Sequence, residues 1–198
     1  MPKIVDHDER RRSIVEALWR VVSRDGASAV SVRSVAAEAG MPKSSIGHYV
    51  GTMPQLLSLA IDQLVAYVEE QAPPLTVDAL DLDQATDAFM AVVPTDPKRR
   101  QMSEVWLLLL SQRNAEPELA PILTNLNTRV LEGITGGLQI LKEQGLVHPS
   151  RDIHSEARFL HALIDGLAIQ SLTDPAFMPT ADVRAIIKEQ LRRLSEPR

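Results

Sequence analysis

Residues 31–61 read SVRSVAAEAGMPKSSIGHYVGTMPQLLSLAI. Ser31 is a favourable N-cap, and the apolar residues after it recur at helical spacing as far as Gly40, which predicts a short capped helix. Pro42 then opens a second short helix over residues 43–50. A capped helix, a glycine turn and a second short helix are typical of the helix-turn-helix motif, in which apolar residues hold the two helices together.

The second of these helices has one apolar side and one polar side. Val35, Ala36 and Ile46 are predicted to clamp the two helices, and Ala36 has to be small because the second helix crosses close to it. The residues on the other side can bond phosphate oxygens or base edges in the major groove. A solvated polar face would have the same spacing, so spacing alone leaves both interpretations open. The outward-facing residues are Lys43, Ser44, Ser45, Gly47, His48 and Tyr49.

Helical periodicity continues on both sides of this stretch and predicts an all-α fold with about nine helices. Ile14, Leu18 and Val22 recur four residues apart in a first long helix. No Asn-Gly or Asp-Gly turn lies between alternating apolar residues, which excludes an obvious strand hairpin. Further helices are predicted at about residues 83–93, 98–114, 117–144, 153–172 and 181–194.

Two adjacent prolines mark the predicted boundary between two domains. A long helix that starts after Thr52, with Pro54 in its first turn, has to end before Pro73 and Pro74 because proline does not continue a helix. We therefore expect a helix-turn-helix domain over residues 1–51, a connecting helix over 52–72 and a second helical domain over 73–198.

The composition is that of a globular protein and excludes several classes of function. The chain has 198 residues, of which 44% are apolar and 24% charged, and it contains no cysteine. Disulfides, thiolate metal sites and cysteine nucleophiles are thereby excluded. No apolar run reaches the roughly 20 residues of a membrane span, and no signal peptide is recognisable. We expect a cytoplasmic protein with no cofactor and no bound metal.

Positive charge is concentrated at the N-terminal end. Residues 1–50 carry eight Lys and Arg against six Asp and Glu, whereas the rest of the chain carries 13 against 20. A mildly basic end on an acidic body is typical of a protein that contacts a polyanion at one end. Arg10, Arg11 and Arg12 open the first helix, where a contact with the DNA backbone and a solvated run of charge are both compatible with the sequence.

A resemblance to a known family begins with S-V-R-x-V-A-x-E-A-G over residues 31–40 and continues with K-S-S-I-x-H-Y over 43–49. Both segments are similar to the DNA-binding domain of the TetR family of transcriptional regulators. The resemblance implies that residues 43–50 form the recognition helix of a repressor that binds a palindromic operator. It implies contacts with double-stranded DNA at Arg33, Lys43, Ser44, Ser45, Gly47, His48, Tyr49 and Thr52.

The resemblance also suggests individual roles. Arg33 would reach a base or phosphate, and His48 and Tyr49 occupy positions that resemble the phosphate-anchoring pair of the family. The alternative for Tyr49 is packing on the first helix, and for His48 it is an exposed histidine without a contact. Backbone N–H groups near Thr52 can face a phosphate.

The sequence departs from the family pattern at three positions. Gly47 stands where an aromatic residue is usual, which weakens the helix by roughly 1 kcal/mol relative to alanine. Val50 replaces a common phenylalanine, so the core is slightly smaller. Met53 stands where lysine is frequent, so a charged phosphate contact at the start of the fourth helix is lost.

The C-terminal part resembles the regulatory domain of the choline-sensing branch of the same family, in residues 105–107 and 162–170. That resemblance implies a ligand cavity and a dimer interface built from the last two helices. The wide apolar faces of these helices favour a symmetric four-helix interface, although packing within one subunit would explain them too. The interface residues are expected at Leu160, Ile164, Leu167, Ile186 and Leu191.

The effector-binding residues are predicted less directly. Trp106 invites a cation–π contact with a quaternary ammonium, but aromatic residues are only 4% of the chain, so choline itself is not assigned. The apolar candidates would equally suit an ordinary core. The candidates are Phe89, Met90, Met102, Trp106, Leu110, Arg113, Asn127, His161 and Gln170.

A catalytic function is the competing class. No Glu-x-x-His pair, H-E-x-x-H motif, P-loop or G-x-G-x-x-G fingerprint occurs in the sequence. His161 and Asp165 are four residues apart and can pair, which a structural contact explains. We therefore predict no enzyme; the alternative is a helical small-molecule-binding protein or enzyme that no longer binds DNA.

Overall fold

The computed structural model describes residues 7–71 and 81–197, and this part of the chain contains nine α-helices and no β-strand. The predicted all-α class is therefore confirmed. A short 3₁₀ turn at Ala27–Ala29, which the sequence analysis missed, lies between the first two helices. The helices are α1 (His7–Asp25), α2 (Val32–Glu38), α3 (Lys43–Val50), α4 (Met53–Gln71), α5 (Leu82–Met90), α6 (Pro97–Gln112), α7 (Leu119–Glu143), α8 (Ile153–Thr173) and α9 (Thr180–Leu194).

The chain forms two compact units. The first holds the described residues up to Val65 together with Glu104–Leu123, and the second holds those within Ala66–Ser103 and Thr124–Arg198. The predicted domain boundary at Pro73-Pro74 lies outside the described residues, so that division stays a prediction.

Several helix ends differ from the predicted ones where a turn or a proline intervenes. Helix α6 ends at Gln112, not at Asn114, and the Ala115 N–H donates to the Gln112 carbonyl in the turn that follows. Helix α5 ends at Met90, not at Val93, because the Ala91 and Val93 N–H groups donate to carbonyls three residues back. Helix α7 begins only at Leu119, so Pro117 precedes it and takes part in the turn that leads into it.

The core of the first unit is built on the apolar face of α1. Ile14, Leu18 and Val21 are fully buried on this face, and α1 contacts both α2 and α3. The predicted four-residue spacing of the first helix is thus realised as a packing surface for the helix-turn-helix.

The second unit has its own core between α5, α7, α8 and α9. Leu138, Leu160 and Ile187 are fully buried there. Outside this core, the Arg184 guanidinium lies 2.9 Å from both Asp83 and Asp87, which joins α9 to α5. The C-terminal end of α9 is held by Arg151, whose Nη2 donates to the Arg193 carbonyl at 2.8 Å.

Candidate nucleic-acid interface

Helix α2 begins with a reciprocal cap at the predicted residue. The Ser34 N–H donates to the Ser31 hydroxyl at 3.0 Å, and the Ser31 N–H donates to the Ser34 hydroxyl at 2.9 Å. Two N–H groups that would otherwise lack a partner are satisfied in this way. The start of α2 is therefore fixed by its own sequence.

The turn between α2 and α3 depends on Gly40. Its φ of 64° lies in the left-handed region, which glycine adopts without the steric cost of a side chain. The Met41 N–H donates to the Ala36 carbonyl at 2.9 Å, which closes the end of α2. Pro42 then directly precedes α3, as predicted.

The predicted clamp between α2 and α3 is confirmed. Val35 and Ile46 are fully buried, and Ala36 is 3% exposed. The outward direction of α3 follows from this contact, because Ile46 and Val50 occupy the one side of the helix that is buried.

Helix α2 is also tied to α1 by charge. The Glu38 carboxylate accepts from Arg20 at 2.8 Å and from Arg24 at 2.6 Å. These two hydrogen bonds hold the pKa of Glu38 below its usual range. Both arginines belong to α1, so the orientation of α2 is set by polar as well as apolar contacts.

The outward face of the motif carries unused donors. Lys43, Ser44 and His48 on α3 and Arg33 on α2 are exposed, and none makes a side-chain hydrogen bond or ion pair within the described residues. Ser45 is half-buried. Such a face leaves cationic and hydroxyl donors available to acceptors outside the protein.

Gly47 lies on the same exposed face, in ordinary helical conformation. Apart from its chain neighbours and the backbone of its own helix, no heavy atom of the described residues lies within 4 Å of the position that a Cβ atom would take. Glycine is therefore not required by the fold here, and its effect is to leave the backbone of α3 uncovered.

Tyr49 packs on α1, as the alternative interpretation had it. Its ring lies 5.3 Å from the His7 ring, centroid to centroid, and is half-buried. Its backbone carbonyl accepts from Arg11 Nε at 2.9 Å. These contacts fix the C-terminal end of α3 against α1, and a phosphate contact of the Tyr49 hydroxyl stays a prediction.

The region near Thr52 differs from the expectation in one respect. The Thr52 N–H donates to Gln55 Oε1 at 3.0 Å, so this N–H is not free for a phosphate. Gly51 has a φ of 65°, and a Cβ atom there would collide with the Gln55 carboxamide. Thr52 is exposed, its hydroxyl oxygen lies 3.5 Å from the Gln55 N–H, and its O–H stays a predicted DNA contact.

The structure distributes the candidate effector residues between the two units. Phe89 and Met90 belong to the apolar core of the second unit, where Met102 is also buried. Asn127 and Gln170 are exposed in that unit. Three further candidates belong to the first unit: half-buried Trp106 and exposed Leu110 and Arg113.

His161 is mostly buried on α8, and its Nε2 lies 3.7 Å from Asp165 Oδ2. This distance suits an ion pair but is too long for a hydrogen bond. Partial burial raises the pKa of Asp165, and the His161 side chain opposes that shift.

Four of the five predicted interface residues lie in the core of their own unit. Leu160, Ile164, Leu167 and Leu191 are at most 4% exposed, so they have almost no surface to lose to a partner. Only Ile186, 36% exposed, remains accessible. The sequence analysis missed the exposed apolar residues beside them, which are Phe159, Ile169 and Phe177.

Two kinds of feature are absent from residues 7–71 and 81–197. There, no group of three or more His, Asp or Glu residues has the arrangement of a metal site. Among these helices, none combines the length and the hydropathy that a bilayer-spanning segment requires.

Known proteins similar to this chain are transcriptional regulators. The family model of the C-terminal domain of BetI-type transcriptional repressors matches residues 81–196. The regulator PksA of Bacillus subtilis is 27% identical over 98% of this chain and 94% of its own length. The regulator BetI of Rhizobium meliloti is 27% identical over 86% of this chain and 81% of its own.

Solved structures share the fold. A regulator from Saccharomonospora viridis, in complex with choline, has a TM-score of 0.76 at 24% identity and covers 92% of this chain and 95% of its own. A TetR regulator from Haloarcula marismortui has a TM-score of 0.77 at 17% identity, over 94% and 98%. Because the family model spans more than half of the sequence, the chain belongs to the BetI-type TetR family of transcriptional repressors.

Proposed function

We propose that two copies of this protein bind a palindromic operator, with α3 of each copy in the major groove, and that a small molecule releases them. The observation that carries this proposal is the outward face of α3. Lys43, Ser44 and His48 are exposed without partners in the described chain, while Ile46 is fully buried and fixes their direction. Two recognition helices about 34–36 Å apart fit successive major grooves.

A second copy of the chain is the occupant proposed for the exposed apolar surface of α8 and α9. Phe159 and Ile169 on α8 and Ile186 on α9 are accessible, and Ala162 and Gly166 lie between the first two on α8. Small residues between large apolar ones permit close helix approach, and a twofold axis would cover the same patch on both copies. These residues replace the buried ones as the contact surface of the proposed dimer.

The effector is proposed to be an organic cation. The Saccharomonospora viridis relative was solved with choline, which makes a quaternary ammonium the first class to test. Trp106 is half-buried and offers an indole ring for a cation–π contact.

The test is a gel shift with fragments from the region upstream of the protein's own gene. We expect wild-type protein to shift a fragment with a palindrome, and Lys43→Ala to weaken that binding by about tenfold or more, as expected for a lost base contact. Lys188→Ala is the matched control, since it removes the same charge from α9. Equal binding by the Lys43→Ala and Lys188→Ala variants would contradict the assignment of α3.

The effector is tested on the same complex. Choline is expected to release the fragment from wild-type protein and to act less on the Trp106→Ala variant. A wild-type protein that binds choline but shifts no duplex would instead support a small-molecule-binding protein without DNA binding.

A further inference from the structure

An open depression lies beside the C-terminal end of α3. Its volume is about 430 Å³, and its walls come from α1, α3, the segment after α3 and α4, all within the first unit. The lining residues are Arg11, His48, Tyr49, Val50, Gly51, Gln55, Ser58 and Leu59. None of these side chains is acidic, so the depression favours an anion over a cation.

Arg11 is held at the rim by the recognition helix itself. Its Nε donates to the Tyr49 carbonyl at 2.9 Å, which fixes the guanidinium beside α3. Its Nη1 lies 3.7 Å from the exposed Asp8 carboxylate, which suits a surface ion pair but is beyond hydrogen-bond range, so the Nη1 N–H groups are not used by Asp8. A guanidinium has five N–H donors, so Arg11 keeps donors for an outside acceptor after its bond to Tyr49.

Gln55 adds a neutral donor to the same depression. Its Oε1 accepts from the Thr52 N–H at 3.0 Å, so the oxygen of the carboxamide is already used. The amide nitrogen carries both N–H donors of the side chain, and neither is used by a hydrogen bond within the described residues. The Ser58 hydroxyl also lines the depression.

We propose that this depression takes one phosphodiester group of the operator backbone, held by Arg11 and the amide nitrogen of Gln55. The proposal rests on the DNA-binding function proposed above. It assigns one of the three N-terminal arginines, which the sequence left undecided, and it supplies the phosphate contact that Met53 cannot make. A phosphate contact positions α3 without reading a base.

The first experiment compares Arg11→Ala with Arg10→Ala. Both remove one charge from α1, but Arg10 is exposed and does not line the depression. We expect Arg11→Ala to weaken binding roughly tenfold to both the palindromic fragment and a scrambled duplex of equal length. The plot of log binding constant against log salt concentration has a negative slope, and its magnitude should decrease by about 0.9 per protomer. Arg10→Ala should change neither quantity.

The second experiment leaves the Arg11 hydrogen bond in place. The Gln55→Glu substitution keeps an oxygen for the Thr52 N–H but replaces the amide donor with a carboxylate oxygen. We therefore expect Gln55→Glu to weaken binding to both duplexes by tenfold or more while the melting temperature is maintained. Gln84→Glu is the matched control, because Gln84 has the same capping role for α5 in the second unit.

The outcomes separate this inference from the proposed function. If wild-type protein binds no duplex, the proposed function fails and the phosphate site fails with it. If wild-type protein binds but Gln55→Glu and Arg11→Ala bind as tightly and with the same salt slope, only the phosphate site is overturned. A loss for Arg11→Ala with unchanged binding by Gln55→Glu would show that Arg11 supports α3 through Tyr49, which also overturns it.

Discussion

Helices α3 and α8 differ in the exposure of their predicted contact residues, since most of those on α3 are exposed whereas the interface residues predicted on α8 are buried. On α3 the residues expected outside are exposed, apart from half-buried Ser45 and Tyr49. On α8 the residues expected at an interface are buried in the core of the same unit, and exposed Phe159 and Ile169 lie beside them. Polar residues on a short helix are expected on its solvent-exposed side, whereas apolar residues are found both in a core and at an interface between subunits.

The largest expected effect separates core from surface on α8. Leu160→Ala should lower the free energy of unfolding by about 2–5 kcal/mol, because the side chain is fully buried. Phe159→Ala, at a position that is 58% exposed, should leave protomer stability within about 0.5 kcal/mol. Urea unfolding at several protein concentrations measures both, because the concentration dependence separates protomer stability from dimer dissociation.

The same pair of positions tests the dimer surface. Phe159→Asp should shift the protein from dimer to monomer in analytical ultracentrifugation without loss of helical content. A variant that stays dimeric would show that the α8 surface does not join two copies. The exposed apolar residues of α8 would then have no assigned function.

Two glycines four residues apart in the motif give the next effect. Gly51→Ala should cost about 1–2 kcal/mol, because φ is 65° and the new Cβ would meet the Gln55 carboxamide. Gly47→Ala should stabilise the protein by up to about 1 kcal/mol, since the position is helical and open. Thermal unfolding of both variants is the measurement, and shifts of the same sign would contradict the described turn.

The smallest effect concerns the ion pairs of α2. Glu38 has a lowered pKa in the folded protein, so its contribution to stability is present above its unfolded pKa of about 4.3 and is lost as pH falls through the folded value. Glu38→Gln should therefore be less stable than wild type at neutral pH, and the difference should shrink on acidification. A difference that does not change with pH would show that the ion pairs with Arg20 and Arg24 do not stabilise the fold.

Glu189 is the matched control for that variant. Its pKa is lowered to about 2 by Arg192 and Arg193, which belong to the same helix. Glu189→Gln should leave operator affinity unchanged, whereas Glu38→Gln should reduce it because Glu38 orients α2 on α1. Equal operator affinities in the two variants would show that the ion pairs of Glu38 do not orient α2 for DNA binding.

The sequence predicted the motif well because its ends are set by local chemistry. Ser31 acts through its hydroxyl, and Gly40 and Pro42 act through their backbone geometry. Helix α2 therefore begins where predicted and α3 has the predicted limits, while α2 ends at Glu38, two residues before Gly40. The depression beside α3 was not predictable, because it depends on the contact of Arg11 with the carbonyl of Tyr49, which is 38 residues away. The hydrogen bond between the Thr52 N–H and Gln55 could have been predicted, because Thr52 and Gln55 have the T-x-x-Q spacing of a capping box. The sequence analysis did not use that pattern.

The most direct test of the central claim is a methylation-protection footprint of the wild-type protein on the palindromic fragment. Guanine N7 lies in the major groove, so a recognition helix there should protect it. We predict two protected clusters about 10 base pairs apart, both lost in Lys43→Ala. Bound DNA with no protected N7 position, or with protection that Lys43→Ala retains, would contradict the claim that α3 reads the groove.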